Sequence, residues 1–223
     1  MIEFRNVTFS YKGASAPTLN NLSFRVEKGE IAVLSAPTGS GKSSILKLLT
    51  AEERPTSGTI SVGNFELSRL SRSDIPEYRR TIGCVFGDLQ LLEEKTVFEN
   101  VAFALEVQGK IKRAKAMRYV HELLERFGVA HLADHFPRTL SLGERQRTAI
   151  ARALVTEPLV LLADNPTSQL DAESAEEIIS LLASEHLRGM TIFIATNLNA
   201  PLPGLSSYTT YMSIEDGKIH IRP

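Results

Sequence analysis

The chain has 223 residues, a formal net charge of −1, and 43% hydrophobic and 23% charged residues. That length buries a substantial core and suits one large domain or a core with a subdomain, while the balanced charge excludes a global attraction to nucleic acid or to an acidic membrane. Its single cysteine, Cys84, excludes an internal disulfide framework and fits a reducing compartment.

Ile2 and Phe4 alternate with charged residues, and Leu22, Phe24 and Val26 alternate with polar ones. Both stretches predict half-buried antiparallel strands, and Thr59-Ile60-Ser61-Val62 continues the pattern. Ile31-Ala32-Val33-Leu34 predicts a buried strand. It leads into Ala36-Pro37-Thr38-Gly39-Ser40-Gly41-Lys42-Ser43, and then into a helix with apolar spacing through Leu49. Ile82-Gly83-Cys84-Val85-Phe86 reads as another strand, so Cys84 is expected to be a buried, inert thiol.

From about Asp88 to Pro137 the pattern turns helical, with helices over 97–105 and 112–127. Val120, Leu123, Leu124 and Phe127 form the inner face of the second. Lys110, Lys112, Arg113, Lys115 and Arg118 read as a solvated face, not a nucleic-acid site. A core of about 1–87 and 138–223 with a helical insert at about 88–137 is the expected organisation. Leu159 to Ala163 and Thr191 to Ala195 are compact apolar runs suited to a parallel sheet covered on both faces. A helix near Glu173 to Ser184 lies between them, stopped by Gly189, and a hairpin turns at Asp216-Gly217. Met1-Ile2-Glu3-Phe4-Arg5 lacks signal-peptide features, and no apolar run approaches the roughly 20 residues that span a bilayer. A role at a membrane is expected to need an anchor from another chain.

The segment 36–43 fits the phosphate-loop pattern G-x-x-x-x-G-K-[ST], with Ala36 in place of the first glycine. Loop amides and the free N–H groups of a helix start converge on phosphate oxygens. Lys42 adds a positive charge, and the Ser43 hydroxyl can ligate Mg²⁺. Ser44 completes the candidate set. A methyl group at position 36 matters if the backbone there needs a positive φ. The strand ending in Asp164 places a carboxylate of the kind that holds Mg²⁺ beside such loops. Ser141 and Glu144 form an S-x-x-E capping box, and the capped helix start is itself an anion site, so Ser141 and Gly143 could touch a phosphate held by a second copy.

With these residues in place the chain resembles, over nearly its full length, the nucleotide-binding subunits of ABC-type ATPases. Ser141-Leu142-Gly143-Glu144 resembles the S-G-G-Q/E signature, with Leu142 replacing a glycine. The resemblance implies a phosphate-loop NTPase fold: an α/β RecA-like core, an antiparallel β subdomain and a helical insert. It implies ATP and Mg²⁺ as cofactors and a head-to-tail homodimer in which each signature closes on the ATP of the other copy. It also implies that Tyr11 stacks on adenine, and that Ser168-Gln169-Leu170-Asp171 crosses the dimer interface. Residues 75–83 and 96–105 resemble the FtsE subfamily. That implies an FtsX-like integral membrane partner in cell division, docked near Gly87 to Leu92, and a cytoplasmic position on the inner face of the membrane. The ATPases of lipoprotein-release and export transporters share part of this pattern.

Three positions depart from the family. Asn165 follows Asp164 where a glutamate polarises the attacking water. Asn197 stands where a histidine contacts the γ-phosphate, and Gly87 stands where a glutamine senses Mg²⁺. An amide cannot take a proton at neutral pH. The expectation is an ATP binder with slow or absent turnover, either a weak ATPase or a scaffold clamp, unless Asp88, Asp171 or another carboxylate substitutes.

Overall fold

The computed structural model describes residues 1–109, 113–197, 202, 204–205, 209–215 and 217–222. Two sheets organise it. Strands β1 (Ile2–Phe9), β2 (Leu19–Val26), β4 (Ser57–Val62) and β5 (Phe65–Glu66) form an antiparallel sheet in the order β2-β1-β4-β5. The second sheet adds β3 (Ile31–Ser35), β6 (Ile82–Val85), β7 (Val160–Asp164), β8 (Thr191–Thr196), β9 (Thr209–Glu215) and β10 (Lys218–Arg222). Its order is β10-β9-β3-β8-β7-β6. All neighbours in it are parallel except the β9–β10 hairpin. Gly217 lies in that hairpin's turn, and Asp216 lies outside the described residues.

Side chains alternate across a strand, so the parallel sheet divides two apolar cores. Ile31, Val33, Leu161, Ala163, Ile192 and Ile194 face one core. Ala32, Leu34, Val160, Leu162 and Phe193 face the other. The second core also receives Phe4, Phe24 and Ile60 from the antiparallel sheet. It receives Ile45, Leu48 and Leu49 from helix α1 (Lys42–Leu49), which is therefore pressed between the sheets. The first core is closed by α3 (Val97–Gln108), α4 (Arg113–Arg126), α5 (Leu142–Leu154) and α6 (Ala172–Leu187).

The helical pattern is observed close to its expected bounds. Val120, Leu123, Leu124 and Phe127 are all buried. Exposed Arg118 pairs with Glu122 at 3.5 Å, as a solvated face requires; Lys110 and Lys112 lie outside the described residues. Leu159, expected in a strand, is instead exposed just before β7. Thr96 opens α3 with a capping box to Glu99, and Asp171 caps α6.

A short helix, α2 (Ile75–Arg79), finishes the far end of α1. A helix leaves its last carbonyls without intrahelical donors. Here the hydroxyl of fully buried Tyr78 donates to the Leu49 carbonyl, and Arg79 Nε donates to the Thr50 carbonyl at 2.9 Å. Burial also drives the Tyr78 pKa far above that of a free phenol, so the hydroxyl keeps its proton. Tyr78→Phe removes one buried donor and is expected to cost about 1–2 kcal/mol of unfolding free energy. The readout is a lowered urea midpoint at unchanged m-value; an unmoved midpoint would show that the hydroxyl bond is not stabilising.

Candidate functional site

Polar groups gather at the carboxyl ends of β3, β7 and β8. After β3 the chain turns through 36–41 into α1. The left-handed backbone falls at Gly39 (φ 85°) and Gly41 (φ 105°), not at Ala36. At φ 105° a side chain at position 41 would be strained, and its Cβ would also press on Leu19 Cδ2 at 2.6 Å, so the turn favours glycine there. Ala36 is buried and its N–H donates to the Thr196 carbonyl at 3.1 Å. The methyl group replaces a glycine where no special φ is needed. Pro37, Thr38 and Gly39 are exposed at the loop tip.

Lys42 is 5% exposed and folds back across the loop. Its Nζ donates to the carbonyls of Ala36 (2.5 Å) and Pro37 (2.7 Å). Burial lowers its pKa, and the charge of Asp164 opposes that shift. The Ser40 hydroxyl is buried without a partner. A buried, orphaned hydroxyl beside a helix start is costly unless something accepts or donates there, and a phosphate would do so. Tyr11 lies against the same helix. Its hydroxyl is 3.1 Å from the Ser44 hydroxyl, its ring meets Phe9 edge-on at 4.8 Å, and Lys47 Nζ sits 5.6 Å from its centroid.

Asp164 ends β7. Burial raises its pKa, while a hydrogen bond from Asn165 and the charge of Lys42 lower it, and the charge of Asp88 raises it. Asn165 has φ 47° and a side chain engaged at both ends. Its Nδ2 donates to Asp164 Oδ1 at 2.9 Å, and its Oδ1 accepts the Asn197 N–H at 3.0 Å. Its own N–H donates to the Ala195 carbonyl at 2.7 Å. The fold thus brings together two of the positions that depart from the family, and one of them ties the other to the acidic residue. No sequence signal announced this bridge.

Ser43 and Asp164 line one cavity of about 240 Å³ with Lys47, Cys84 and Gln90. Their hydroxyl and carboxylate are hard oxygen donors of the kind Mg²⁺ takes. No group of three or more His, Cys, Asp or Glu able to hold a metal occurs among the described residues. A Mg²⁺ ion here would need phosphate oxygens to complete its shell, and these residues fit that arrangement. Cys84 reaches the cavity wall, and burial pushes its thiol up to about 12, so it stays protonated and unreactive.

Ser141, Gly143 and Glu144 stand apart, at the start of α5. The Ser141 hydroxyl accepts the Glu144 N–H (3.3 Å), and Glu144 Oε2 accepts the Ser141 N–H (2.7 Å), which holds the Glu144 carboxyl below its usual range. None of the three lines the Ser43–Asp164 cavity. Asp171 is also committed: its oxygens accept from the Ser174 N–H (2.9 Å) and hydroxyl (2.8 Å).

Among the described residues, no helix is long and apolar enough to cross a membrane. The ABC transporter family model matches residues 19–168. The cell division ATP-binding protein FtsE of Mycobacterium tuberculosis is 47% identical over 198 residues, 88% of this chain and 85% of that protein. FtsE of Escherichia coli is 38% identical over 220 residues, 99% of this chain and 97% of that protein. A solved ATP-binding cassette, a dimer in a post-hydrolysis state bound to ADP and Pi, superposes with a TM-score of 0.87 at 30% identity. It covers 100% of this chain and 98% of its own. A phosphate loop at the carboxyl edge of a parallel sheet, an acidic strand end beside it and these matches together make the chain a member of the ABC transporter ATP-binding family.

Proposed function

We propose that this chain is the FtsE-like ATP-binding subunit of a membrane complex in cell division. Relatives named as cell division ATP-binding proteins match it over 88% and 99% of its length. The observation that carries the reading is the phosphate loop: an orphaned Ser40 hydroxyl, a left-handed Gly41 and a buried Lys42 meet where α1 begins. First-turn amides lack intrahelical acceptors and favour an anion. Incoming phosphate oxygens would draw the Lys42 ammonium away from the two carbonyls it holds. Tyr11, anchored through Ser44, offers an aromatic ring beside the loop on which adenine would stack. Ser43 and Asp164 would hold Mg²⁺, which when bound neutralises the charge of the β- and γ-phosphates.

Two copies facing each other would place Ser141, Gly143 and the amides of the α5 start against the phosphates of the partner copy. The capping box leaves the Ser141 hydroxyl on the exposed end of that helix. On a division into a core of about 1–87 and 138–223 and a helical part of about 88–137, the membrane partner would dock between the two. Between them runs a groove of about 470 Å³ that includes Pro76, Arg79, Phe86, Phe103, Val107 and Arg152. Phe103 and Val107 are 39% and 52% exposed there. An FtsX-like partner would seat an apolar cytoplasmic segment on them and supply the membrane anchor, which puts this chain peripherally on the inner face.

Turnover is expected to be slow. The Asn165 amide is held by Asp164 and by the Asn197 N–H, and it carries no proton acceptor. Losing a general base costs about 10² to 10⁴ in rate. Binding keeps Lys42, Ser43 and Asp164.

Calorimetry with Mg-ATP is expected to give saturable heat that Lys42→Ala abolishes; folded wild-type chain without such heat would overturn the nucleotide reading. Asn165→Glu is expected to raise steady-state phosphate release on the order of 10²-fold. It also breaks the donor to Asp164, so ATP affinity must be checked alongside; unchanged release at intact affinity would reject a missing base. Ser141→Arg is expected to abolish ATP-driven dimers in sedimentation while sparing ATP binding to the monomer. Loss of monomer binding would assign Ser141 a structural role instead.

A further inference from the structure

Gly87 leaves the strand end beside Asp164 without a side chain, yet the cavity shared by Ser43 and Asp164 has a polar arm on that side. It is Gln90, three residues on. The loop that presents it is held against its own preference. Leu89 and Gln90 are consecutive non-glycine residues at φ 59° and 46°, a conformation that costs free energy unless the surroundings impose it.

Arg152, near the end of α5, imposes it. Its guanidinium donates to the Leu89 carbonyl at 2.7 Å and to the Gln90 carbonyl at 2.6 Å. The Leu89 side chain is buried in the core below. Downstream, the fully buried Asn100 amide accepts the Leu92 N–H at 2.8 Å. It also donates to the carbonyls of Leu92, Lys95 and Thr96 at 3.0 Å each. Upstream, the Leu89 N–H donates to the Phe86 carbonyl at 2.9 Å. Pinned at three points, the loop leaves the exposed Gln90 side chain at the cavity mouth, 3.4 Å from Asp88 Oδ2.

We propose that Gln90, positioned by Arg152, is the side chain that meets the water shell of the divalent ion in place of the missing group at Gly87. The inference rests on the Mg-ATP reading above. The Gln90 amide oxygen accepts a hydrogen bond from an ion-bound water, and its amide nitrogen stays on Asp88. Arg152 acts only through the loop. Because Ser141 caps the start of α5 and Arg152 lies near its end, the same helix carries the dimer-facing cap and the clamp on this arm.

The test is Mn²⁺ uptake by the protein–ATP complex, with protein in excess over nucleotide and Mn-ATP without protein as the blank, followed by electron paramagnetic resonance of the free ion. Metal-free ATP affinity, measured in EDTA, serves as the control for folding and for the loop around phosphate. Gln90→Ala is expected to weaken Mn²⁺ binding on the order of tenfold, the typical loss when a group that orients a metal's ligands is removed. Metal-free ATP affinity should not move. Arg152→Ala is expected to give the same split. A Cβ at Gly87 would make ordinary contact, 3.6 Å from the Asp164 carbonyl, so Gly87→Gln added to Gln90→Ala is expected to restore Mn²⁺ binding. A Gln90→Ala chain that takes up Mn²⁺ like wild type overturns the arm and leaves the nucleotide reading standing. Wild-type chain that takes up no Mn²⁺ with ATP overturns both.

Discussion

Strands β3, β7 and β8 are apolar on both faces because each face meets its own core. Buried backbone in such a sheet is satisfied by its neighbours, and no polar side chain fits between the layers without a partner. Polar chemistry can therefore emerge only where the strands stop. Ser35, Asp164 and Thr196 end three neighbouring strands in register: Ser35 pairs with Thr196, and Asp164 with Ala195. The phosphate loop, the acidic strand end and Asn197 are consequences of that one edge. Ligands of open α/β sheets collect at this position.

The parts of the fold that were legible in the sequence are those fixed by local periodicity. Alternation gave the antiparallel strands, helical spacing gave α4 and α6, and the capping residues Ser141 and Glu144 marked the start of α5. The phosphate loop was legible because its chemistry needs a fixed order of residues over eight positions. What stayed hidden depends on tertiary closure. Lys42 turned back on the Ala36 and Pro37 carbonyls is a property of the folded loop, not of its composition. The link from Asn165 to Asn197 joins residues 32 apart, and that from Arg152 to Leu89 joins residues 63 apart. Nothing in Leu89 or Gln90 favours left-handed backbone, so no propensity could have placed them there. Ala36 was the opposite case. It looked like a defect in the motif, and the backbone shows that no glycine is needed at that point.

On the proposed reading, Asn165 is what separates binding from turnover in one site. A glutamate at that position would face Asp164 as a second carboxylate, and like charges raise each other's pKa. The amide avoids that repulsion, donates to Asp164 and accepts from the Asn197 backbone in the same conformation. The acidic strand end, the turn after it and the end of β8 become one hydrogen-bonded unit. Such a unit keeps the Asp164 carboxylate oriented, and its amide offers nothing basic to a water.

The short α2 has a consequence for how force can enter the molecule. Arg79 lies on the wall of the groove that also includes Phe103, Val107 and Arg152, and its Nε also grips the Thr50 carbonyl at the far end of the phosphate-loop helix. A body leaning on that wall would work the helix like a lever whose short end carries Lys42 and Ser43. Because Ile45, Leu48 and Leu49 bury that helix in the second core, any such displacement would be shared with the apolar layer around it.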